Sequence, residues 1–182
     1  MPIERVLPII SEKSFMHQKL LSRVKIFIHS APLYLFYIIT LIAVFIYATA
    51  LYYFNLTVFN QAIPFAGAHK NGIDAFSFGQ KAFTVLCIVP FVESFIAQFL
   101  LIELFCRVVF FKKKPHYAIF LSALMFGLLH YYSLYYMLYT FGVGFILCSF
   151  YYFVRYRKGN AYLHTCLIHF IINLIVLLAK VF

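Results

Sequence analysis

The sequence has 182 residues, 65% hydrophobic and only 11% charged, with a mean hydropathy of +0.93. Soluble domains are about 45–50% apolar and about 25% charged, so no water-soluble fold of this size hides so much apolar surface, and the bilayer must be the solvent. The net charge of +10 does not indicate nucleic acid, because the basic residues gather in three clusters that each abut a long apolar run.

Residues 1–30 carry the first cluster (Arg5, Lys13, Lys19, Arg23, Lys25) together with Leu20, Leu21, Val24, Phe27 and Ile28 at helical spacing. They read as a cytoplasmic amphipathic lead on the membrane surface. From residue 31 to 182 the chain reads as a single transmembrane domain. Residues 33–56 are the first span, since about 20 apolar residues cross the hydrocarbon core. Residues 57–80, with their Pro, Gly, Asn and Asp, are expected as an exposed loop. A second apolar stretch, 81–111, contains Pro90, which is expected to kink it or to start a new helix. Lys112, Lys113, Lys114 and Pro115 end it. Residues 116–131 form the third span, 134–154 the fourth, with Gly142 and Gly144, and 161–182 the fifth, after the basic Arg155, Arg157 and Lys158.

The expected fold is therefore all-α, a polytopic transmembrane helical bundle of about five spans. With the N-terminus in the cytoplasm, all three basic clusters fall on one side and the C-terminus lies outside, as the positive-inside rule requires. Anionic headgroups of membrane lipids are the expected partners of the clusters. The first apolar run follows a polar, basic lead and is too long for a signal peptide. These features fit an integral protein of a bacterial inner membrane. Cys87, Cys106, Cys148 and Cys166 lie inside apolar runs without metal-like spacing and read as buried free thiols.

Ionisable side chains inside spans cost about 2.5–3.5 kcal/mol each at the helix centre and are functional candidates by default. Of the five acids, Glu4, Glu12 and Asp74 lie outside the spans. Glu103 has Arg107 one turn later and reads as an interfacial ion pair. Glu93 has no cation within a turn in either direction, and its polar companions are Ser94 and Gln98. His130 ends the third span, and His169 and Asn173 share one face of the fifth. A carboxylate in an apolar setting is a usable general base for deprotonating water. Imidazole and amide groups from His130, His169 and Asn173 can orient that water and stabilise an oxyanion. The same groups could alternatively hold a divalent metal such as zinc. Both routes are hydrolysis. Ser94 is a poor nucleophile candidate, because adjacent helical residues do not face each other. A proton-coupled transporter would also use buried Glu and His, but the fourth span has no polar file beyond Thr140 and Ser149, and no inverted repeat is visible.

At these residues the chain resembles the CPBP family of intramembrane proteases, the Abi or CAAX prenyl protease type 2 family, marked by EExxxR, FxxxH and HxxxN on separate helices. Phe126-Gly-Leu-Leu-His130 and His169-Phe-Ile-Ile-Asn173 match the second and third motifs in full. Glu93-Ser-Phe-Ile-Ala-Gln98 keeps the leading glutamate of the first, with Ser94 at the second Glu and Gln98 at the Arg. The resemblance implies a protease-like core at about 81–182. In it Glu93 activates the water with help from His130, His169 and Asn173 form the oxyanion site, and Ser94, Gln98 and Phe126 support them. The implied activity is an intramembrane endopeptidase acting on a peptide or lipid-modified protein tail. The alternative is a catalytically impaired membrane scaffold or bacteriocin-immunity protein, motivated by the altered first motif. Metal dependence and oligomeric state stay open, and no nucleic-acid partner is expected.

Overall fold

The computed structural model describes residues 19, 22–23, 26–59, 77–131 and 133–181. Most of the amphipathic lead and residues 60–76 of the expected loop lie outside the described residues. The described residues up to Leu35 belong to one compact unit and those from Phe36 onward to another. In the first unit, a helical segment over residues 26–30 closes where the Ala31 amide donates to the Phe27 carbonyl. All the regular structure among the described residues is helical.

Helix α1, Leu33–Phe59, has 27 residues. At about 1.5 Å per residue it is long enough to cross a ~30 Å hydrocarbon core. Phe45 and Ile46 stand exposed on it, as they would on a lipid-facing surface.

Helix α2, Phe78–Arg107, runs for 30 residues. It begins earlier than the apolar run suggests because Ser77 and Gln80 form a capping box. The Ser77 hydroxyl accepts from the Gln80 amide, and the Ser77 amide donates to Gln80 Oε1. Pro90 neither ends this helix nor starts another. A proline inside an α-helix removes one hydrogen bond and pushes its ring against the preceding turn. Here the preceding turn, Thr84–Ile88, widens to π-helical geometry, and a second π-helical stretch follows at Ser94–Leu100. The wide turns also explain the buried seam of α2. Pro90, Ser94, Gln98, Ile102 and Cys106 are buried at every fourth position. In a regular α-helix of 3.6 residues per turn such a seam would drift by about 40° per step.

At Val108 the backbone turns extended, and the short helix α3, Val109–Lys113, follows. Helix α4, Pro115–Leu128, opens on a proline at its first turn, where no amide is needed. Its 14 residues span only about 21 Å, less than a full crossing. Among the described residues, four helices are thus long and apolar enough to cross a membrane, and α4 is a shorter apolar fifth.

Helix α5, Leu134–Tyr156, is capped by Ser133, whose hydroxyl accepts from the Tyr136 amide. It ends in a Schellman turn: Lys158, at φ 59°, donates to the Arg155 carbonyl and Gly159 to the Val154 carbonyl. Asn160 then caps helix α6, Ala161–Val181, by accepting from the Leu163 amide at 3.3 Å. Helices α4 and α5 pack closely because glycines lie where they meet. A Cβ on Gly127 would sit 2.8 Å from Phe141 Cβ, and one on Gly144 would sit 2.6 Å from the Phe126 ring.

Candidate active site

Glu93 lies on α2 between the two π-helical stretches. Its Oε1 is 3.3 Å from His130 Nε2 and its Oε2 is 3.7 Å from His169 Nε2. Three side chains from three elements thus converge at one carboxylate. His169 is almost fully buried, whereas the Glu93 side chain keeps 28% of its surface accessible. The site is closed on the imidazole side and open at the carboxylate.

His130 follows the end of α4, where helix carbonyls lack partners of their own. Its Nδ1 lies 2.7 Å from the Phe126 carbonyl. A carbonyl only accepts, so Nδ1 carries the proton and Nε2 is the nitrogen presented to Glu93. The Nε2–Oε1 contact then requires one shared proton, since otherwise two lone pairs would face each other. The four-residue spacing of Phe126 and His130 has a second use. The Phe126 ring packs on the His130 ring at 4.7 Å between centroids and edge-on to His169 at 6.2 Å. Gly144 leaves the space that this ring occupies.

His169 is oriented from its other nitrogen. Ser94 Oγ lies 3.3 Å from His169 Nδ1. Ser94, fully buried, therefore holds the tautomer-defining contact of a residue facing Glu93. Gln98, one turn further, is fully buried, and no partner meets its amide at hydrogen-bond geometry among the described residues; it lies beside the Cys148 thiol.

Asn173 shares a helical face with His169, but its amide nitrogen donates to the Val85 carbonyl at 2.9 Å. Tyr162, on the same face, donates to the Phe91 carbonyl at 3.1 Å. Sequence reasoning did not find Tyr162, Val85 or Phe91. Every residue has a carbonyl, and only the proline at position 90 hinted that some here would need outside donors.

Glu103 is not paired as its sequence neighbours suggest. Its carboxylate takes a two-pronged contact from Arg155 on α5, at 2.5 Å from Nε and 3.0 Å from Nη2, and accepts from the Tyr151 hydroxyl at 2.9 Å. Arg107 contributes only at longer range. The bidentate fork joins α2 to α5.

Among the described residues, no three His, Cys, Asp or Glu side chains are arranged to hold a metal ion. The two Nε2 atoms face separate oxygens of one carboxylate.

Long apolar helices around a carboxylate bracketed by two imidazoles define an integral membrane protein with a site suited to acid–base chemistry. The chain belongs to the Type II CAAX prenyl endopeptidase Rce1-like family, which it matches over residues 75–175, more than half its length. The match runs from just before α2 to just past Asn173. No curated protein and no solved structure matches the chain.

Proposed function

We propose that this protein is an intramembrane endopeptidase that hydrolyses a peptide bond in a membrane-associated or lipid-modified protein through water activated by Glu93. The observation that carries the reading is the accessible Glu93 carboxylate flanked by Nε2 of His130 and Nε2 of His169. Family membership supports a protease as the kind of enzyme. Glu93 takes a proton from water, and the oxygen adds to the scissile carbonyl. His169 faces the same space and is available to stabilise the developing oxyanion. The proton passes from Glu93 through His130 Nε2 to the departing amine as the C–N bond breaks.

The test is cleavage by the purified, reconstituted protein of peptides with and without a C-terminal S-prenyl cysteine. Glu93→Gln is expected to lower the rate about 10²–10⁴-fold, the usual worth of a general base. Wild-type cleavage by that variant would remove the assignment.

Ser94 and Gln98, in place of a charged pair, favour a second reading: a scaffold or bacteriocin-immunity protein without catalysis. It predicts that a Glu93→Ala, His130→Ala double variant keeps its full cellular phenotype.

A further inference from the structure

Asn173 lies one turn from His169, where the simplest expectation has it touching substrate. The backbone of α2 suggests another task. In the first π-helical turn the Val89 amide donates to the Thr84 carbonyl, five residues back. The next amide in that register would serve the Val85 carbonyl, but residue 90 is proline and has none. Val85, half-buried, is therefore left without a donor from its own helix, and a carbonyl at membrane depth is costly without one. The Asn173 amide fills that position at 2.9 Å. About three turns earlier on the same face of α6, Tyr162 serves the Phe91 carbonyl, two residues before Glu93.

We infer that Asn173 is a positioning residue, whose amide replaces the hydrogen bond that Pro90 cannot make and so fixes the wide turn that presents Glu93 to His130 and His169. Helix α6 thus supplies one imidazole to the site and two donors to the backbone leading into it. This inference rests on the peptidase reading for its kinetic consequence, but not for its structural one.

The test is a double-mutant cycle in the full-length reconstituted protein, because Pro90→Ala returns an amide that can serve Val85 from within α2. In the wild-type background, Asn173→Ala is expected to lower kcat about 10²-fold with little change in KM, the scale of a misplaced catalytic group. Asn173→Asp keeps the shape of the side chain but as a carboxylate cannot donate, so it should fall equally. In the Pro90→Ala background the same substitutions should cost less than about threefold, a non-additivity expected only of coupled residues. An equal loss in both backgrounds would mean that Asn173 acts on substrate and would overturn the inference. Thermal unfolding of the same four proteins provides a readout independent of cleavage. Asn173→Ala should lower the midpoint far less when residue 90 is alanine, and additive shifts would overturn the inference. If the wild type cleaves nothing, the peptidase reading fails, and the unfolding cycle still decides the role of Asn173.

Discussion

Replacing His130 by alanine removes two contacts made by opposite edges of one ring. Nδ1 no longer closes the Phe126 carbonyl, and Nε2 no longer faces Glu93. Losing the cap is expected to cost about 1 kcal/mol of stability, the net worth of one hydrogen bond, read by thermal unfolding in detergent. Losing the proton carrier is expected to slow cleavage about 10²–10⁴-fold, read in a single turnover. The pairing of both Nε2 atoms with one carboxylate also makes a prediction about metals. A strong zinc chelator should leave the cleavage rate unchanged, and a loss restored by added zinc would require a different site chemistry. Glu93, His130 and His169 were legible in the sequence because an ionisable group in an apolar run is expensive and therefore conspicuous. The role of Ser94 was not, since a serine beside a glutamate on a helix gives no sign that it reaches a histidine 75 positions away.

Among the elements, α4 and α5 define the position of the Phe126 ring, and through it the two imidazoles. Gly144→Ala would place a methyl group against that ring. The expected result is an overpacked contact costing about 1–3 kcal/mol, seen as a lower unfolding midpoint, with slower cleavage by whatever fraction remains folded. The sequence showed small residues in α5 but not which ring they made room for. Element boundaries followed the same division. The capping box at Ser77 is a local signal, and it places the start of α2 a few residues before the apolar run. Pro90 was equally visible, yet its outcome was not, because whether a proline breaks a helix depends on donors from a neighbour. Glu103 shows the limit most plainly. Sequence offers only partners one turn away, while the actual one, Arg155, comes from 52 residues further on.

Across the whole molecule, the Glu103–Arg155 contact ties the end of α2 to the end of α5. The basic residues just beyond those ends, Lys112–Lys114 and Arg157–Lys158, therefore belong on one side of the bilayer. Cysteines introduced at Lys113 and Lys158 in a background lacking the native thiols should both react with an impermeant maleimide from the same face, the cytoplasmic one under the positive-inside rule. Reaction from opposite faces would break this topology. The helical membrane class was fully legible, since composition alone demands it. The short length of α4 was not, because the apolar residues continue past its end at Leu128.

The buried seam of α2 carries a serine and a glutamine at Ser94 and Gln98. An arginine at the centre of a helix would add about 2.5–3.5 kcal/mol to the work of entering the bilayer. Without it, Glu93 is the lone charge in the middle of this segment. Newly made α2 is therefore expected to enter the bilayer more readily than it would with an arginine at residue 98.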